Sequence, residues 1–313
     1  MLRRRERRWD QEQRVSAMFD SPRKLGSKAL KALTFAIGML TLLGLQSLCR
    51  ADQTTHNTED EETLAEQVND PTATLDQFQV KDIYTPAQYG TNAQPNTLQI
   101  RPIFSIRGLS FFPLDQIIRP TIKVVTVPDG KGASTTTAYD DMQLFDLFVI
   151  PWPSSEETGL RWAIGPYFVL PASTSELTGN GAWQMGPAAG FAYNATSRLK
   201  IAGLLQQATS FAYTSSKSKP VTSLTFQPMI SYELGRGWYL KSSDATWTFN
   251  LRHNTSTTIP ISAGLGKVWK FSNDYSLDTA VSGEWMVYRQ FADQTEQFTL
   301  NFQVTLLLPQ LEL

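Results

Sequence analysis

The chain has 313 residues, of which 41% are hydrophobic and 11% aromatic, so it can form one large all-β domain or two ordinary domains. One cysteine and two histidines exclude a disulfide framework and give little support to a cysteine or histidine metal site, and no cofactor is indicated. Residues 1–51 carry 11 basic and 4 acidic residues, which leaves a net charge of −8 on the remainder and predicts no nucleic-acid partner.

The first 51 residues have the organisation of a bacterial secretory signal. A basic stretch with "LRRRERR" precedes the apolar run "ALTFAIGMLTLLGL", and "SLCRA" follows it. The run is shorter than the roughly 20 residues that a membrane-spanning helix needs. We predict a signal peptide over 1–51, cleaved after Ala51. The alternatives are a translation start at Met18 and lipid attachment at Cys49, although Leu48 occupies a position where a small residue is expected.

The rest of the chain divides into three parts. Residues 52–73 are polar and acidic and predict a short periplasmic segment, either helical or without regular structure. From residue 74 to 309 apolar and polar residues alternate in segments such as "LRWAIGPYFVL" and "FTLNFQVTLLL", which is typical of strands with one apolar face. Residues 310–313 form a short tail.

The spacing of turns predicts how these strands are arranged. Short turns ("NATS", "LGRGW", "SNDY") alternate with longer polar ones ("PASTSELTGNG", "SSKSKP", "FADQTE") along the second half of the chain. Eleven strands are clear, the first near 97–107, and a twelfth is predicted in 74–84 because such barrels have an even number. The fold class predicted is therefore all-β: an antiparallel up-and-down transmembrane barrel of about 12 strands.

Aromatic residues and prolines test this prediction in opposite directions. Aromatic side chains fall near strand ends on the apolar face, as in the girdles of outer-membrane barrels: Trp162, Trp183, Tyr193, Trp238 and Trp285. Prolines, which remove ladder hydrogen bonds, lie inside several strands: Pro102, Pro166, Pro187, Pro228 and Pro260. We expect bulges or local breaks at these prolines.

Several segments resemble a known family. "NTLQIRPIFSI", "RWAIGPYFVLPAST", "GNGAWQMGPAAGF", "TFQPMISYELGRGW" and "FTLNFQVTLLLP" occur in the order found in the outer-membrane transporters grouped with the meta-pathway of phenol degradation, also labelled neuromedin U-like. The resemblance covers residues from about 65 to 309 and implies an outer-membrane barrel with a transport role. It implies no catalytic residues. Leu313 departs from the aromatic end that is common in such proteins.

Charged and polar residues on the polar face of the predicted strands are the candidate functional residues. The strand registers turn nine of them toward the lumen: Arg101, Arg107, Arg161, Lys200, Gln227, Glu233, Arg252, Asp278 and Glu284. Such residues set solute preference in a pore. The alternative is that opposite charges pair across a narrow interior and fill it.

The function predicted is a small-solute channel in the outer membrane, to which the protein is exported. Its expected partners are outer-membrane lipid, the barrel-assembly machinery and a small solute of unknown identity. One alternative is a non-conducting structural or adhesion barrel. A lipid-acting barrel enzyme is less favoured, because His253 and Ser256 lie together in one loop, whereas a catalytic triad needs partners on separate elements.

Overall fold

In a computed structural model of the chain, the residues described are 64–308, except 66, 109–112, 131, 151–159, 217, 243, 253–255 and 272–274. The predicted signal peptide, His253 and the tail 310–313 lie outside the described residues. Within the described ranges, no helix is long and apolar enough to cross a membrane.

The described chain forms a single antiparallel sheet of fourteen strands. They are β1 (Asp76–Gln88), β2 (Asn96–Ile106), β3 (Gln116–Pro128), β4 (Thr135–Tyr139), β5 (Met142–Ile150), β6 (Leu160–Leu170), β7 (Ala182–Asn194), β8 (Leu199–Tyr213), β9 (Thr222–Gly235), β10 (Trp238–Ser242), β11 (Trp247–Asn250), β12 (Thr257–Lys270), β13 (Ser276–Gln290) and β14 (Glu296–Leu308).

The sheet closes on itself. The first strand, β1, pairs with the last, β14, from Asp76 opposite Leu308 to Gln88 opposite Glu296. Twelve spans make up the wall, because β10 and β11 both lie between β9 and β12 and are two parts of one span. The short β4 pairs with β3 and extends it as a hairpin. The prediction of a closed up-and-down barrel of about 12 strands is therefore confirmed, and its first strand covers 76–88 where 74–84 was predicted.

Alternation along each strand separates an outer face from an inner one. In β14 the side chain of Phe302 is 49% exposed, whereas its neighbours Asn301 and Gln303 are 2% and 6% exposed. The outer face also carries exposed aromatic side chains close to both ends of the spans. Trp162, Tyr193 and Trp238 lie at the end where β1 begins, and Trp183 and Trp285 lie toward the opposite end. This is the arrangement expected of a wall that contacts lipid.

Four of the prolines within strands interrupt the pairing on one side only. Pro166 and Pro187 lie opposite each other in the continuous β6–β7 ladder, whereas the β5–β6 and β7–β8 ladders have gaps beside them. Pro102 and a further proline, Pro120, fall in a gap of the β2–β3 ladder, and both keep their pairing on the other side. The expected local breaks are thus present.

Pro228 and Pro260 flank the largest break in the wall. Pro228 in β9 pairs with β8 and faces the gap between β10 and β11 on its other side. Pro260 in β12 borders the same gap, and the β12–β13 register shifts beside it. A proline provides no N–H on the side of the gap, so the wall can interrupt β10 and β11 here without leaving those two donors unpaired.

A glycine makes room for the largest fully buried side chain of the interior. Tyr239 in β10 is 1% exposed and lies opposite Gly266 in β12. A Cβ atom added to Gly266 would lie 2.2 Å from Cζ of the Tyr239 ring. The ring is held in place by a 2.6 Å hydrogen bond that its hydroxyl donates to Asp278.

We predict that Gly266→Ala lowers the free energy of unfolding by about 1–3 kcal/mol, the usual cost of overpacking a filled interior. The ring cannot move away without weakening its bond to Asp278. The measurement is a urea titration of the barrel in lipid vesicles, read by the heat-dependent gel migration of folded barrels. Gly130→Ala is the control, because an added Cβ there meets nothing within 4 Å. Equal unfolding midpoints for the two variants would contradict the prediction.

The barrel interior as a candidate functional site

The described residues that precede β1 lie inside the barrel. We call residues 64–75 the crossing segment. Its Leu64, Ala65 and Val68 pack against interior side chains of three spans near one end of the barrel: Tyr239 of β10, Val268 of β12 and Leu307 of β14. Further along, Pro71 approaches Gly190 of β7, where an added Cβ would lie 3.7 Å from the proline ring. Since β7 and β14 are on opposite sides of a twelve-span wall, the segment crosses the lumen.

Asp70 attaches the crossing segment to the wall. Its carboxylate is fully buried and forms ion pairs with Arg161 of β6 and, at 3.4 Å, with Lys200 of β8. The other carboxylate oxygen accepts hydrogen bonds from the backbone N–H and the hydroxyl of Thr72, at 2.8 and 2.7 Å. The two hydrogen bonds from Thr72 and the two cations together compensate for a negative charge that would otherwise be costly to bury.

A second part of the chain also enters the lumen. Residues 244–246, between β10 and β11, form what we call the inward arm. The carboxylate of Asp244 lies 2.6 Å from Nζ of Lys81 and 3.2 Å from Nζ of Lys241, and it accepts a 2.5 Å hydrogen bond from Ser282. These side chains are almost fully buried. Asp244 therefore connects β1, β10 and β13 through the interior.

Polar side chains continue this network along the lumen. Gln303 accepts a 3.1 Å hydrogen bond from Lys241 and donates a 3.3 Å bond to Asp278. Asp278, fully buried, also receives the Tyr239 hydroxyl. The described interior contains no group of three or more His, Cys, Asp and Glu side chains arranged to hold a metal ion.

A cavity remains between the crossing segment and the inward arm. Its empty volume is about 640 Å³, part of which is open to solvent. Its lining is mixed, because polar and apolar side chains follow each other on the same inner faces: Arg101 and Ile103 on β2, Arg119 and Ile117 on β3, Gln227 and Met229 on β9. Gln79, Gln303, Phe145 and Val68 also line it. Ile117, Phe145 and Met229 belong to an interior cluster that continues with small and aliphatic residues on β6, β7 and β8.

The nine predicted residues are distributed as follows. Arg101 and Gln227 line the cavity. Arg161 and Lys200 bind Asp70, and Asp278 binds Tyr239 and Gln303. Glu233 is buried on β9 and Glu284 is partly buried on β13. Arg107 and Arg252 lie beyond the ends of β2 and β11 and are exposed, because both strands end before reaching them.

Four other residues define this interior and were not among the predicted ones: Asp70, Lys81, Arg119 and Asp244. Asp70 and Asp244 belong to non-strand chain, where alternation gives no orientation. Lys81 follows Gln77 and Gln79 on the inner face of β1, and Arg119 precedes Thr121 and Lys123 on the inner face of β3. These two polar rows are a period-two signal from which both residues could have been identified.

Comparisons with known proteins agree with the barrel. A scan against protein-family models finds no match, and a search of curated proteins finds no significant relative. Among solved structures, an outer-membrane channel from Pseudomonas putida F1 matches with a TM-score of 0.55 and 13% identity, over 75% of this chain and 96% of the other. The NanC porin matches with a TM-score of 0.42 and 12% identity, over 74% and 98%. A KdgM porin in complex with disordered oligogalacturonate matches with 0.39 and 12%, over 73% and 97%.

The likeness to the Pseudomonas channel shows the fold. This chain has the barrel fold of an outer-membrane channel. At such low identity the comparison does not extend to a substrate, and membership of the phenol-pathway family stays a prediction.

We predict that Asp244→Asn destabilises the barrel by about 3–5 kcal/mol, because it leaves Lys81 and Lys241 in the interior without their carboxylate. The measurement is the unfolding midpoint in urea. Asp129→Asn is a matched control, since Asp129 is exposed at the β3–β4 hairpin. Unfolding midpoints within error of each other would show that the buried ion pairs do not stabilise the fold.

Proposed function

We propose that the protein is an outer-membrane channel for small solutes, with a lumen narrowed by its own crossing segment and inward arm. The observation that carries the proposal is a closed wall with an apolar outer face and an interior rich in polar and charged side chains. These interior side chains leave a cavity. A barrel of twelve spans is wider than the eight-stranded barrels that side chains alone can fill. The remaining interior space is what a solute would use.

Solute preference in this proposal comes from the charges that line the cavity. Of the predicted basic residues, Arg161 and Lys200 are already paired with Asp70, so they hold the crossing segment. Arg101 lines the cavity with Gln227, and both are positioned to contact a solute. Charged groups in a narrow passage through a protein interact more strongly than in bulk water, so a small number of them can set solute preference.

The outer surface supports a location in the outer membrane. Exposed leucine, isoleucine, valine and phenylalanine side chains cover the middle of the spans, and aromatic residues lie near both ends. We propose that this belt contacts outer-membrane lipid and that the barrel-assembly machinery inserts the chain after export.

A non-conducting structural or adhesion barrel is the second candidate, favoured by one observation. The crossing segment packs against both sides of the lumen, and ion pairs fill much of the interior. If these contacts never open, the interior serves only stability. Conductance separates the two candidates.

We propose no enzymatic role. Ser256 accepts a 2.5 Å hydrogen bond from the side chain of Asn250, within the connection between β11 and β12. His253, the base that a lipid-acting site would use, lies outside the described residues.

We predict single-channel steps from the refolded full chain in planar bilayers, and larger or more frequent steps from Asp70→Asn. The substitution removes the ionic part of the contacts with Arg161 and Lys200 while the amide keeps the volume of the carboxylate. Loss of about 3 kcal/mol from such a pair raises the population of a displaced segment on the order of 100-fold.

Asp293→Asn is the control, because it removes the same charge from an exposed loop at the opposite end of the barrel. The control should conduct like the wild-type protein. Absence of single-channel steps from both the wild type and Asp70→Asn, with both proteins folded, would contradict the proposed channel and favour the non-conducting structural barrel.

A further inference from the structure

Two arginine side chains of the cavity have no anionic partner among the described residues. Arg101 on β2 and Arg119 on β3 both line the cavity. The registers on either side of the Pro102–Pro120 gap place Arg119 across from Ile103, two positions from Arg101 on the same inner face. Diagonal neighbours at this spacing are within reach of one another's long side chains.

The contacts of these guanidinium groups are weak. Arg101 donates one long hydrogen bond of 3.4 Å to Gln79, and Arg119 stacks over the Phe145 ring at 4.0 Å from its centroid. The Nε atom of each is buried and, among the described residues, has no hydrogen-bond acceptor. Neither lies within 4.0 Å of a described carboxylate. Two partly buried cations side by side are costly unless an anion joins them.

The nearby acidic residues are engaged elsewhere. Asp70 is held by Arg161 and Lys200, and Asp244 by Lys81, Lys241 and Ser282. Releasing either carboxylate to the two arginines would take it away from the cations that it binds now. Among the described residues, no carboxylate is therefore left for Arg101 and Arg119, and we infer that their anion is an external one.

Apolar side chains also line the cavity beside the arginines. Ile103, Ile117, Phe145 and Met229 line the same cavity, and Ile117, Phe145 and Met229 belong to the interior apolar cluster. A fully hydrated inorganic anion would gain nothing from these side chains. A carboxylate attached to a hydrocarbon body could use both the guanidinium groups and the apolar wall.

We propose that this cavity binds a small organic carboxylate with an apolar body, the carboxylate between Arg101 and Arg119 and the body against Ile117, Phe145 and Met229. The inference deepens the proposed function by naming its solute class, and only its transport aspect rests on that function. Binding itself requires no conduction.

The test is equilibrium binding of hexanoate to the refolded full chain in a non-ionic detergent, measured by titration calorimetry against a micelle blank. Hexanoate should bind saturably to the wild type, and the double variant Arg101→Gln/Arg119→Gln should bind it at least about ten-fold more weakly. Arg289→Gln removes an exposed arginine that stacks on Tyr89, and it should bind like the wild type. Inorganic sulfate should bind more weakly than hexanoate.

Thermal unfolding gives a second readout. Hexanoate should raise the unfolding temperature of the wild type and of Arg289→Gln, but not that of the double variant, because a ligand stabilises only the form that binds it. If the double variant fails to fold, Arg119→Lys decides. This variant keeps the positive charge but loses the planar guanidinium group, which can donate two parallel hydrogen bonds to a carboxylate. It should therefore bind hexanoate more weakly than the wild type does.

Two results would overturn the site: unchanged hexanoate binding by the folded Arg101→Gln/Arg119→Gln variant (or, in its place, by Arg119→Lys), or sulfate binding as tightly as hexanoate. Failure of the site and failure of the channel remain distinguishable. Hexanoate binding without conductance contradicts only the channel, and conductance without hexanoate binding contradicts only the site.

Discussion

Pairing of β1 with β14 is the interaction on which the rest of the structure depends. Eleven residue pairs join the two strands and leave the wall without a free edge. Lipid provides no hydrogen-bonding partner for backbone groups, so a spanning sheet must satisfy them within itself. Closure at twelve spans also creates an interior that short side chains cannot fill. The crossing segment and the inward arm occupy much of that interior, and the buried ion pairs follow from the charges they bring with them.

Closure restricts where prolines can be tolerated. In an antiparallel strand the N–H and C=O of one residue point toward the same neighbour, so a proline weakens one ladder and leaves the other intact. The facing pair Pro166–Pro187 shows the consequence, because its shared ladder is continuous and the gaps lie on the two outer sides. At Pro228 and Pro260 the gaps face a common span, and there the wall bends inward as the arm that carries Asp244. Prolines that seemed to oppose a barrel thus coincide with its local departures from regularity.

The parts of this fold that could be predicted are those governed by local pattern. Alternation identified the spans, and the spacing of turns gave their antiparallel order, because both depend on neighbouring residues. The crossing segment and the inward arm depend on contacts between residues far apart in the chain. Asp70 and Arg161 are 91 positions apart, and Lys81 and Asp244 are 163 apart. The polar face of the strands could be recognised in the sequence. Whether its charges form ion pairs or are open to a solute could not be predicted.

The same limit applies to the inner face itself. Period two assigns a residue to the inside or the outside of the wall, but it does not say which inner residues face each other across the lumen. On β13 and β14 most inner residues are polar, such as Ser282 and Asn301, whereas β6 to β8 carry small or aliphatic ones, such as Ala163 and Leu204, together with the charged Arg161 and Lys200. Closure brings these two groups of spans to opposite sides of the lumen. Each side therefore has its own mixture of polar and apolar residues, and closure, not the period of any one strand, decides which of them face each other.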